Sequence, residues 1–90
     1  MISSTDPVYV VKYYDTYDSE RTEFVLGVAS SKEHAIEMIK FEIKSVICYW
    51  SYRFSIEKFL LNERYRGLTT ETFTQEQNIE WAKEVGVYYD

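Results

Sequence analysis

Residues 24–39, FVLGVASSKEHAIEMI, change their hydrophobic period partway along, and that change decides the fold. Up to Ala29 the apolar side chains alternate, which puts Phe24, Leu26 and Val28 on one side of an extended chain. From Ala35 onward they recur at three- and four-residue intervals through Ile39, Ile43, Val46, Ile47 and Trp50, while Glu33, Glu37, Lys40 and Lys44 take the opposite side. Between the two patterns, Ser30 and Glu33 have the S-x-x-E spacing of a capping box, in which each side chain satisfies the other's free backbone amide. The stretch therefore predicts a strand running directly into a helix over about residues 31–48 that lays its apolar stripe on a sheet. Gly27, inside the strand, predicts a bulge or a close approach by a neighbouring element.

Upstream, VYVVKYYD (8–15) is rich in β-branched and aromatic residues, with Val8, Val10 and Tyr14 on one face and Tyr9, Val11 and Tyr13 on the other. The polar residues 16–21 that follow turn this strand into the next as a hairpin. Downstream, FSIEKFLLNE (54–63) returns to alternation, with Phe54 and Ile56 on one face and Phe59 and Leu61 on the other. Residues 64–72 read as an exposed connection around Gly67. Thr74 and Gln77 repeat the cap spacing before NIEWAKEV, and Gly86 is placed to end that helix. The final VYYD either adds a short strand or remains as a tail. The order β-β-α-β-α predicts an α+β domain: a small antiparallel sheet of three or four strands with helices packed on one face. No linker or internal repeat divides residues 1–90, which read as one domain.

The run from Val8 to Glu63 resembles small uncharacterised proteins of bacteria and their phages. The shared features are a strand ending in Leu-Gly-Val, a Ser-Ser-Lys-Glu helix start, and a return strand rich in Glu and aromatic residues. The resemblance implies the fold and a phage origin. It implies no catalytic residues.

Composition narrows the function classes. Aromatic residues make up 18 % of the chain, with nine Tyr, five Phe and two Trp. Large aromatics bury much apolar area each and so thicken a small core. The formal charge of −5 argues against tracking a nucleic-acid backbone, whose affinity comes from Lys and Arg neutralising phosphates. The single cysteine, Cys48, forms no intrachain disulfide, the N-terminal residues lack the pattern of a signal peptide, and no apolar run approaches the ~20 residues of a membrane helix. A cytoplasmic protein without membrane contact is the expectation.

Candidate chemistry is sparse. His34 and Glu37 form H-x-x-E on one helical face, but a metal site needs three or four ligands and the chain has no second His. Neither a metal nor a cofactor is predicted. Cys48 lies on the same predicted helix as His34, about 21 Å away at 1.5 Å per residue, too far for the pair to act together. It reads as a small hydrophobe packed at the helix end. The loop DTYDSERTE supplies Asp15, Asp18, Glu20 and Glu23, which read as solvated turn residues or an acidic contact surface, with Tyr17 at the tip. The glycines Gly27, Gly67 and Gly86 lie too far apart to form a phosphate cradle.

The remaining signal is the aromatic and arginine content of CYWSYRF (48–54). If the helix continues through it, Trp50 enters the core with Phe54 and Cys48, while Tyr49, Tyr52 and Arg53 turn outward. Tyr65 and Arg66 repeat the same chemistry. Tyr and Arg concentrate binding energy at protein interfaces. The reading is a non-enzymatic protein-binding module using Tyr49, Tyr52, Arg53, Tyr65 and Arg66 together with Asp15, Tyr17, Asp18 and Glu20. Its most specific form is a phage-encoded inhibitor of a host defence protein, for example an anti-CRISPR, that blocks a substrate site. The alternative is a small-ligand or nucleotide-binding protein, such as a sponge for a signalling nucleotide, with an aromatic and arginine pocket. The aromatic surface would serve equally as a homodimer interface.

Overall fold

The computed structural model describes residues 7–46, 48–60 and 69–88. Their order is β1 (Pro7–Asp15), β2 (Phe24–Ala29), α1 (Lys32–Ser45), a 3-10 turn (Tyr49–Ser51), β3 (Tyr52–Leu60), β4 (Thr69–Thr72) and α2 (Gln75–Glu84). The strands form one antiparallel sheet in the order β2-β1-β3-β4, so this is the α+β architecture that the alternating and helical periods predict. The fourth strand does not come from VYYD. It is Thr69–Thr72, within the segment read as a connection, and a TTET strand exposed on both faces carries no hydrophobic alternation to betray it. Its β-branched threonines suit an edge position.

β1 is central and pairs with β3 over its whole length, from Pro7 opposite Leu60 to Asp15 opposite Tyr52. This register puts Tyr9, Val11 and Tyr13 beside Ile56 and Phe54 on the helix side, and Val8, Val10 and Tyr14 beside Phe59, Glu57 and Arg53 on the other. Val11 and Phe54 are fully buried. On the other side, which no described element covers, Lys12 Nζ donates to Glu57 Oε1 at 2.7 Å. That carboxylate holds the Lys12 ammonium above its ordinary pKa.

The β1–β2 register slips between Val11 and Lys12, where Gly27 and Val25 are the respective partners and Leu26 is the extra residue. Alternation therefore fails across the slip. Phe24 pairs with Tyr13 and stacks on its ring at 5.5 Å, whereas Val28 pairs with Val10 on the uncovered face. Gly27 also admits α1: a Cβ there would lie 2.9 Å from Met38 Sδ.

α1 begins one residue later than the S-x-x-E spacing suggests. Ser31, extended at φ −145°, is the cap and accepts from His34 N at 3.2 Å. Glu33 then sits in the second helical position, where it cannot reach back to the cap. Ala35, Ile39 and Ile43 are fully buried as their spacing requires. The helix stops at Ser45, because Val46 turns extended at ψ 155°.

α2 follows its sequence signals closely. Thr74 Oγ1 accepts from Gln77 N at 3.3 Å. At the other end Gly86 has φ +79°, Gly86 N donates to Lys83 O and Val87 N donates to Ala82 O, the paired bonds of a Schellman stop. Trp81 and Ala82 join the core, and Lys40 of α1 pairs with Glu84 at 2.7 Å to tie the two helices. No helix among the described residues is long and apolar enough to cross a membrane.

The early end of α1 reverses the expectation for CYWSYRF. A helix carried through to Trp50 would bury that side chain, but the 3-10 turn resets the phase. Tyr49 is buried with 7 % exposure, Trp50 is 39 % exposed, and Cys48 is exposed rather than packed. Burial raises the Tyr49 phenol above its ordinary pKa. Tyr52 is half-buried on the helix side, stacked on Tyr13 at 4.8 Å, so it too belongs mainly to the core.

Candidate functional site

One end of the sheet gathers most of the chemistry. β1 runs out at Asp15, opposite Tyr52 where β3 begins, so the loop after β1 and the turn before β3 share that end. Thr16 joins them: its backbone N–H and its Oγ1 both donate to Ser51 O at 2.8 Å.

The loop beyond is built by its own acids. Asp15 Oδ1 accepts from Tyr17 N at 2.9 Å, the two oxygens of Asp18 accept from Glu20 N and Thr22 N, and Asp18 N donates back to Asp15 O. These amide donors hold the Asp18 carboxyl below its ordinary pKa, Thr22 contributing most. Tyr17 is left at the tip with 77 % of its surface exposed. Glu20 is exposed beside it.

Arg21 leaves the same loop at φ +52°, the left-handed region, and carries its guanidinium over the Tyr14 ring at 5.6 Å. Across the sheet from Tyr14 stands Arg53, whose Nη1 donates to Trp50 O at 3.1 Å and Tyr52 O at 3.0 Å. Tyr14 and Arg53 line a groove of about 570 Å³ with Thr72, Phe73, Thr74, Gln75 and Glu76.

Beneath this end a buried amide fixes the corner. Asn78 of α2 is fully buried, and its Nδ2 donates to Tyr49 O at 3.0 Å and to Tyr52 O at 2.7 Å. These two bonds seat the helix against the 3-10 turn, and Oδ1 has no partner among the described residues.

Comparison with protein-family models, with curated proteins and with solved structures found no match to this chain.

Of the residues expected to bind a partner, the structure brings Asp15, Tyr17, Asp18, Glu20 and Arg53 to one end. It removes Tyr49 from the surface and leaves Tyr52 mostly packed, while Tyr65 and Arg66 lie outside the described residues. Trp50 replaces Tyr49 as the exposed aromatic, its ring edge-on to Tyr49 at 5.5 Å. Sequence reasoning also missed Tyr14 and Arg21 as surface groups, because only the tertiary fold sets Tyr14 opposite Arg53 and carries the Arg21 guanidinium over its ring.

A second exposed area surrounds the β2 edge, where Phe24, Val25 and Val28 are all more than half exposed. Phe41, exposed at 72 %, lies on α1 one turn beyond the Met38 that meets Gly27. Alternation hid this area by assigning Phe24 and Val28 to a single face. His34 is exposed in the first turn of α1, and no group of three metal-ligating side chains occurs among the described residues.

Proposed function

We propose that this chain is a non-enzymatic protein-binding module that acts through the end of the sheet that carries the acidic loop, with Tyr17 in it, and the turn with Trp50. The observation that carries the reading is the pair of Thr16 bonds to Ser51, which holds an acidic loop and an exposed tryptophan in one arrangement before any partner arrives. Aromatics held in place cost little entropy on binding, and exposed Trp and Tyr are the residue types that dominate binding energy at interfaces. Asp15, Asp18 and Glu20 form an acidic rim suited to a basic protein surface, in keeping with the chain's charge of −5.

In its finer form the module is a phage-encoded inhibitor that covers the substrate site of a host defence protein. That form draws on the small size and acidic charge and on the resemblance to small phage proteins.

The test is affinity capture from a bacterial host lysate with the wild-type chain and the Tyr17→Ala, Trp50→Ala double variant, read by mass spectrometry. A protein held by the wild type and lost from the variant, with the two melting temperatures within about 2 °C, supports the reading. Equal capture by both, or capture of nothing, rejects it.

A further inference from the structure

The outer edge of β2 carries apolar groups on both faces of the sheet. β2 stands last in the order β2-β1-β3-β4, so no described strand pairs with that edge. Val25 pairs with Lys12 and Val28 with Val10, which puts both valines on the uncovered face, where each is more than half exposed. Phe24 and Ala29 lie opposite Tyr13 and Tyr9, Gly27 lies opposite Val11, and Leu26 packs against the core, so these four belong to the helix side. A partner laid on one face covers only one of these sets. A strand added at the edge covers both.

The two edges of the sheet differ in protection. β4, at the far side, is polar throughout, and its Glu71 is held by Lys32 at 2.6 Å. β2 has neither a charge nor a proline along FVLGVA, and those are the devices by which an edge strand refuses a neighbour. Its one irregularity is the bulge at Leu26, which sets the faces from Phe24 to Ala29 in the order helix, open, helix, helix, open, helix. That order reads the same in both directions. An antiparallel second copy centred between Leu26 and Gly27 therefore matches faces at all six positions. Val25 of one copy then stands opposite Val28 of the other, and Glu23 stands opposite Ser30 rather than a second acid.

α1 suits the same centre. It packs over β2 and β1, with Met38 against Gly27. Strands lie about 4.8 Å apart, so the α1 axes of two such copies come to about 10 Å from each other, an ordinary distance for packed helices. His34, Met38, Phe41 and Ser45 recur at the four-three-four spacing of a helix–helix seam, with no carboxylate or ammonium among them.

We propose that β2 pairs antiparallel with β2 of a second copy of this chain, joining two four-stranded sheets into one of eight strands with the α1 helices side by side across a two-fold axis. Phe24 and Phe41 leave about 250 Å² of surface open in each copy, and Val25 and Val28 leave about 150 Å² more. Taken over two copies, with the outer atoms of Leu26 and Met38, the buried area is on the order of 1,000 Å², the lower bound of a specific interface. The dimer is therefore weak and concentration-dependent. It uses neither Tyr17 nor Trp50, so it does not rest on the protein-binding reading.

The test is sedimentation equilibrium of the full chain from about 10 μM to about 1 mM, the weak limit of specific association. A mass rising toward twice 10.8 kDa is expected. Val25→Lys with Val28→Lys sets like charges opposite each other and should raise the dissociation constant by about tenfold or more. Val25→Lys with Val28→Glu sets opposite charges across the same register and should recover at least about threefold of that loss. Should either variant misfold, isotope-filtered NMR on a mixture of labelled and unlabelled wild-type chains reads the register directly, through contacts from the Val25 methyls of one copy to the Val28 methyls of the other. A mass of 10.8 kDa throughout overturns the proposal. So does a dimer that both variants leave unchanged, equal weakening by the two charge patterns, or contacts that join other residues. Because the variants leave Tyr17 and Trp50 intact, a monomeric result leaves the protein-binding reading standing.

Discussion

Thr16 and Ser51 lock the two halves of the candidate site together, since one carbonyl of Ser51 receives both the backbone N–H and the hydroxyl of Thr16 at 2.8 Å. Thr16→Val keeps the shape and removes only the hydroxyl bond. A destabilisation of about 1 kcal/mol is expected, which lowers the melting temperature by about 4–8 °C in a domain of this size. Amide exchange over residues 16–22 should quicken as well. Thermal unfolding and hydrogen exchange together check this, and wild-type exchange in the loop would show that the bond does not order it.

Asn78 makes a stronger prediction, because its amide is fully buried and joins α2 to two carbonyls of the corner. Asn78→Ala removes both donors and leaves a cavity, at a cost of about 2–4 kcal/mol. Asn78→Asp should cost at least as much near neutral pH, since it replaces the donors with a buried charge facing carbonyl oxygens. Urea unfolding measures both, and a loss under about 1 kcal/mol for the alanine variant would mean that α2 is seated mainly by Trp81 and Ala82.

Gly27→Ala tests the approach of α1 to the bulged strand. The added Cβ meets Met38 Sδ at 2.9 Å, the far part of a flexible side chain, so Met38 can shift at a cost of about 1 kcal/mol. Met38→Ala removes the obstacle and should make the combined loss smaller than the sum of the single losses. A double-mutant cycle in urea decides it: strict additivity would place the strain elsewhere.

Asp18 predicts an acid transition in the loop. Its carboxyl is held below the ordinary value of 3.8 by the amides of Thr22 and Glu20, so the folded loop binds fewer protons than the unfolded chain. The contribution is therefore full above pH 3.8 and is lost as pH falls through the lower folded value. Exchange of the Glu20 and Thr22 amides, followed by NMR from pH 6 downward, should quicken in that window. In Asp18→Asn the pH dependence should flatten.

Much of the fold was legible in the sequence wherever a feature depends on neighbours a few residues away. The change of period around Ser30 and Ser31 marked the step from β2 into α1. The alternation of VYVVKYYD divided β1 correctly between its two faces, and Thr74 and Gly86 marked the ends of α2. Periodicity, caps and helix stops are local, and the backbone's own geometry enforces them.

Tertiary structure decided the rest, because each remaining feature depends on a partner far along the chain. The bulge that sends Phe24 and Val28 to opposite faces exists only in the pairing with β1, and α1 ends before Trp50 because the chain must turn to enter β3 opposite Asp15. That turn exchanges the fates of Tyr49 and Trp50. The bond from Thr16 to Ser51 spans 35 residues, and the pairing of Tyr14 with Arg53 spans more. Composition could name the aromatic and arginine residues of a binding surface, but only long-range pairing could select which of them reach solvent, since exposure belongs to the packed sheet and not to the side chain.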